Sequence, residues 1–253
     1  MKNYLISFFF LFASFYSAEN SFSAVKQNQT LAQTYIGKLD NKTDVVFSIK
    51  NSNGKLTGFY YYDKIGVEIK LSGTIVNGIA TIFELDHQNK KQAKITGKLS
   101  NNDFTGKWES LSTKKSYALQ LKLSPYAIPA LPINLLGNYN TDCNLSISIA
   151  KNNGGYFYNF KSNTRTLKGK VTFGRSLEEN LVYINFIGIK WAEDDGDISN
   201  ELNADKSSGD LPTVVQGLIT DEEIVIQNYG NAMNHYLKIG ECDIKYLHLK
   251  KDK

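Results

Sequence analysis

The densest chemistry in the chain is acidic. Glu193, Asp194, Asp195 and Asp197 surround Gly196 directly after Trp191, and Glu201, Asp205 and Asp210 continue the series. Clustered carboxylates of this kind can attract a basic partner and speed its encounter. They can also ligate calcium through oxygen, but the spacing here does not match the twelve-residue calcium loop. A solvated surface loop remains the third reading. A second stretch, Gln227-Asn228-Tyr229-Gly230-Asn231-Ala232-Met233-Asn234-His235-Tyr236, is rich in amide, glycine and aromatic residues. It reads as an ordered connection or as a recognition loop beside the acidic one, with Asn231, Asn234, His235 and Tyr236 as its contacts. No residue is assigned to a metal, and no cofactor is expected.

Catalytic signatures are missing. The chain has no Gly-x-Ser-x-Gly elbow, His-Glu-x-x-His helix, Cys-x-x-Cys pair, phosphate loop or Gly-x-Gly-x-x-Gly turn. Three histidines (His87, His235, His248) and two cysteines are a poor inventory for zinc or copper. A carboxylate-dependent hydrolase stays open, because a glycosidase needs only two carboxyl groups close in space. No catalytic residue is assigned.

These residues need a scaffold, and the scaffold is exported. Lys2 precedes an apolar run, Leu5 to Tyr16, and then small residues, the layout of a secretory signal. Cleavage after Ser23 places Ser21 and Ser23 where small side chains are required, whereas cleavage after Ala18 places Tyr16 there. An uncleaved N-terminal anchor is the alternative. The expected location is periplasmic or secreted, with no stable membrane span after cleavage. In that setting the two cysteines, Cys143 and Cys242, read most simply as one disulfide. Two separate buried thiols are the alternative.

Beyond residue 45 the pattern has period 2. Val67, Ile69 and Leu71 alternate with Glu68, Lys70 and Ser72; Tyr117, Leu119, Leu121 and Leu123 alternate with Ala118, Gln120 and Lys122. One apolar and one wettable face make a half-buried antiparallel strand. Asn53-Gly54, Asn77-Gly78 and Asn153-Gly154 punctuate the runs at tight hairpin turns. No sustained 3.6 period follows the signal, so the chain reads as all-β.

Residues 124–134 hold three of the four prolines and mark a linker between two units, 35–123 and 135–253. The flanks look like copies. Gly37, Ser48-Ile49 and Asn53-Gly54 recur as Gly137, Ser148-Ile149 and Asn153-Gly154, and an aromatic strand follows in each (Phe59-Tyr60-Tyr61, Tyr156-Phe157-Tyr158). The second copy carries extra residues, mainly in 191–212 and 228–241. Each unit closes into a barrel or folds into a sandwich, since an open sheet leaves edges and an apolar face exposed. In the aromatic strand, Tyr60 and Tyr62 point to one face and Phe59 and Tyr61 to the other. They read as core with cross-strand pairing, or as a stacking platform.

The series Gly58-Phe59-Tyr60-Tyr61-Tyr62, Leu71-Ser72-Gly73, Phe83-Glu84 and Phe104-Thr105-Gly106-Lys107-Trp108 resembles a repeat unit of exported bacterial β-proteins of unassigned function. The resemblance covers residues 35–123 and implies an exported β-protein, with no catalytic residues.

Charge narrows the partners. Residues 35–124 carry 14 basic and 8 acidic side chains, and residues 135–253 carry 13 and 16. With 27 lysines and only two arginines, the chain does not read as a nucleic-acid binder. The expected function is non-enzymatic binding of a protein partner, basic in character. An inhibitor or immunity-type role toward a cell-envelope hydrolase or toxin fits this. A small-ligand or glycan-binding barrel, a hydrolase and a structural envelope protein are the rivals.

Overall fold

The fold is taken from a computed structural model that describes residues 31–100, 102–197, 211–230 and 234–252. The segment read as a secretory signal, residues 1–23, lies outside the described residues. Among the described residues there is no helix, and so none long and apolar enough to cross a membrane.

The first eight strands are β1 (Gln33–Leu39), β2 (Thr43–Ser52), β3 (Lys55–Tyr62), β4 (Ile69–Val76), β5 (Ile79–Leu85), β6 (Lys91–Leu99), β7 (Asp103–Ser110) and β8 (Ser116–Leu123). Each pairs antiparallel with its successor, and β8 returns to β1, closing a barrel. The Asn-Gly dipeptides sit at two-residue turns. Ser52 faces Lys55 across Asn53-Gly54, and Val76 faces Ile79 across Asn77-Gly78. All four turn residues have positive φ, which Asn and Gly tolerate best. Gly97 and Gly106 face one another across β6 and β7. A Cβ on either would lie 2.6 Å from the other's Cα, with the Phe104 ring as close as 2.6 Å. That close approach lets Phe104 lie across the bare backbone.

The second barrel uses β9 (Gly137–Asn140), β10 (Ser146–Asn152), β11 (Gly155–Lys161), β12 (Thr166–Ser176), β13 (Leu181–Ile187), β15 (Val214–Ile219), β16 (Glu223–Gln227) and β18 (Tyr246–Lys251). It too is eight-stranded and antiparallel, and β18 closes on β9. Its β10–β11 hairpin turns at Asn153-Gly154, the counterpart of Asn53-Gly54 in β2–β3. The chain is therefore all-β and built as two tandem closed barrels that repeat one strand order.

Period 2 becomes inside and outside. Tyr35, Phe47, Leu56, Tyr60, Ile82 and Phe104 fill the first barrel; Tyr139, Tyr158, Phe160, Phe173, Ile184 and Phe186 fill the second. An eight-stranded barrel is just wide enough for side chains to fill or to hold one small ligand. Here each barrel contains a cluster of buried aromatic and branched side chains.

The two barrels touch through the β3–β4 connection, residues 63–68. The Phe173 amide donates to the Ile65 carbonyl at 2.9 Å, and Val67 packs against the second core. The linker docks as well, with Leu131 against that core and Leu135 inside it. This junction covers the outer face of the aromatic strand. Tyr61 points away from its own barrel yet is 0% exposed, with the Arg175 guanidinium 4.4 Å from its ring centre.

Two excursions leave the second barrel at the end away from the Asn153-Gly154 turn. Residues 188–213 connect β13 to β15, and residues 228–245 connect β16 to β18. Each contributes one strand of a separate two-stranded sheet: β14 (Glu193–Asp197) and β17 (Asn234–Leu237). Here the structure departs from an irregular acidic loop, because residues 193–197 are extended and paired. Asp and Gly are poor strand formers alone, and the ladder partner comes from 40 residues downstream.

Candidate functional site

The far end of the second barrel is built around a bridge and a buried amide. Cys143 and Cys242 form a disulfide with their Cα atoms 5.8 Å apart. The bridge ties the β9–β10 connection to the second excursion. Asn228, 0% exposed, organises that excursion from within. Its Nδ2 donates to the carbonyls of Ile239 (3.1 Å) and Cys242 (2.8 Å), and its Oδ1 accepts the Ile239 amide at 2.7 Å. Arg165 adds a lateral tie: its Nε donates to Glu241 Oε1 at 2.5 Å and its Nη2 to Oε2 at 3.2 Å. The guanidinium and the hydrogen bonds hold the Glu241 carboxyl below its ordinary range despite burial. Trp191, at the root of the first excursion, donates from its indole to the Val214 carbonyl at 2.9 Å.

On this base the two stretches singled out in the sequence meet. Glu193 pairs with Leu237, Asp194 with Tyr236, Gly196 with His235 and Asp197 with Asn234, with an irregularity in the register at Asp195. The backbone thus brings Glu193, Asp194, Asp195 and Asp197 beside Asn234, His235 and Tyr236. Asn231, Glu201, Asp205 and Asp210 lie outside the described residues.

A second constellation carries no motif. On β5, Ala80, Ile82 and Glu84 share the inward face, and Glu84 is only 7% exposed. Tyr60 Oη and Trp108 Nε1 both donate to its Oε1. The Tyr62 hydroxyl lies 3.4 Å from that of Tyr60. Desolvation raises the Glu84 carboxyl above its ordinary value, against the lowering effect of the two donors. Burial and the adjacent carboxylate push the Tyr60 hydroxyl upward too, so it stays a donor. Both bonds fall on Oε1, and among the described residues none bonds Oε2.

Glu84 also lines a cleft of about 790 Å³ where the first barrel meets the Asn153-Gly154 turn of the second. Val67, Ile69 and Leu85 provide its apolar lining; Lys70, His87 and Lys151 are among its polar members. Sequence reading passed over Glu84 as a strand residue. The available signal was its phase, since it takes the apolar position of an alternating strand.

Against known protein families, curated proteins and solved structures, the chain shows no match. Its function must therefore be argued from these sites.

Proposed function

We propose that this chain is an exported, non-enzymatic binding protein that presents the paired excursions of its second barrel to a basic protein partner. An inhibitor or immunity-type role toward a cell-envelope hydrolase or toxin is the concrete form. The observation that carries this reading is the β14–β17 pairing: two insertions foreign to the barrel repeat are joined to each other above a disulfide and a buried asparagine. Functional segments characteristically project from such rigid scaffolds. The signal-like layout of residues 1–23 supports export, and a disulfide accords with an oxidising compartment.

The rival readings have less support. The buried clusters inside both barrels favour the Glu84 cleft over a barrel interior as the seat of a small ligand. A two-carboxylate hydrolase needs a second free carboxyl beside Glu84. Glu68 is engaged by Arg175 at 2.8 Å, and Asp86 accepts two amides of its own turn and the Gln92 side chain.

The test is capture of envelope proteins by the immobilised mature chain, run beside a Glu193→Gln, Asp194→Asn, Asp195→Asn, Asp197→Asn variant. A basic protein retained by the wild type at low salt, and at least tenfold less by the variant, is expected. Equal retention by both, or none by either, would refute the proposal.

A further inference from the structure

The Glu84 cleft has a charge arrangement that its own surroundings do not balance. Glu84 is more than nine-tenths buried, and one of its oxygens is fully used by Tyr60 and Trp108. Among the described residues the sealed side-chain atoms without a partner are Tyr61 Oη and Nε and Nη1 of Arg175, and Glu84 Oε2 is not one of them. Glu84 itself lines the cleft. A buried carboxylate is costly unless a cation meets it.

Among the described residues no cation does so. Lys70 and Lys151 lie at the exposed margin of the same cleft. The Lys70 ammonium donates to Asn89 Oδ1 at 2.8 Å, and that of Lys151 sits 4.7 Å from the Tyr156 ring centre. Among the described residues neither forms an ion pair with a carboxylate. The two other acids of the cleft, Glu68 and Asp86, are already engaged. Among the described residues, the cleft holds one buried carboxyl that no cation meets and two exposed lysines that no carboxylate meets. Apolar surface from Val67, Ile69 and Leu85 lies in the same lining, and its volume suits a small ligand.

We propose that this cleft binds a small amino-acid-type zwitterion, its ammonium on Glu84 Oε2 and its carboxylate toward Lys70 and Lys151. A lone amine would satisfy the floor but meet repulsion at the margin. A lone carboxylate would do the reverse. Only a molecule with both charges matches both ends, with a short apolar spacer along Ile69 and Leu85. The inference is independent of the proposed role of the second barrel.

Trp108 provides the readout, because its indole N–H donates to Glu84 and the chain has only two tryptophans. The experiment titrates the mature chain with glycine, 4-aminobutyrate and 6-aminohexanoate, and with butylamine and butyrate as single-charge controls. The Trp108 indole resonance is followed by NMR, and heats by calorimetry. At least one zwitterion is expected to give a saturable shift, at an affinity tenfold or more above both controls. Glu84→Gln, which keeps an acceptor for Tyr60 and Trp108, should lose that affinity tenfold or more. Lys151→Gln, at an exposed position where folding is not at stake, should weaken it several-fold. Butylamine binding as well as the best zwitterion, no saturation by any probe, or full affinity in both variants would each overturn the proposal.

Discussion

Glu84 shows how one buried side chain can hold structure and strain together. Its Oε1 satisfies two donors that would otherwise be buried alone, while its charge is desolvated. Glu84→Ala removes the acceptor and leaves the Tyr60 hydroxyl and the Trp108 indole unpaired, at a cost of about 2–3 kcal/mol. Glu84→Gln keeps an acceptor and removes the charge. The two variants should therefore separate by denaturant midpoint, with the glutamine form the more stable. The pH dependence follows from the raised carboxyl. In the folded chain Glu84 holds its proton to higher pH than the ordinary 4.5 of the unfolded chain. Its contribution is fully present below about 4.5 and is lost as pH rises through the folded value. Wild type should lose stability relative to Glu84→Gln across that rise. A difference between the urea midpoints of the two proteins that stays constant from pH 4 to 8 would show the assignment to be wrong.

At the scale of elements, the paired excursions depend on what anchors them. β14 and β17 are short, and a two-stranded ribbon is marginal in water by itself. Asn228 and the disulfide supply the anchoring from the barrel side. Cys143 and Cys242 are separated by 99 positions, so their bridge restricts most of the second barrel in the unfolded chain. Replacing both with alanine should cost about 4–5 kcal/mol on the chain-entropy account. Thermal melts with and without reductant measure this directly: the wild-type midpoint should drop under reduction, and that of the double variant should not move. Hydrogen exchange in 234–237 should rise in the same variant, because β17 lies within the bridged excursion.

At the scale of the molecule, residues 63–68 form a stopper between the two barrels. Gly66 has a φ of +63°, and a Cβ there would lie 2.1 Å from the Phe173 carbonyl oxygen. Around it, Arg175 donates to Glu68 and stacks on Tyr61, while its Nε and Nη1 are sealed without partners. Such a contact is specific rather than strongly stabilising, since a buried pair repays its desolvation only when fully bonded. Gly66→Ala adds about 1–2 kcal/mol for the left-handed backbone alone, and the clash falls on backbone that cannot step aside. The wild type is expected to melt in one calorimetric transition and the variant in two, one per barrel. A single unshifted transition in Gly66→Ala would mean that residues 63–68 do not couple the barrels.

Strand-level information is local, which is why so much of it was readable. Alternation at Val67 to Ser72 and Tyr117 to Leu123 states which face is wet, and Asn53-Gly54, Asn77-Gly78 and Asn153-Gly154 state where the chain reverses. The offset between the copies states that the pattern is built twice, and two cysteines in an otherwise cysteine-free chain state their own pairing. Closure into barrels rather than sandwiches was undecided, because it depends on β8 reaching β1 and β18 reaching β9, and no window of sequence contains both partners. The same holds for residues 193–197, whose own composition disfavours a strand and whose ladder partner begins at Asn234. Whether Tyr61 was core or platform stayed open until Arg175, from the other barrel, covered it. Glu84 looked like an ordinary strand acid until closure brought Tyr60 and Trp108 to its carboxylate. Composition and period determined the elements; the long-range contacts of the closed barrels alone decided which side chains share a site.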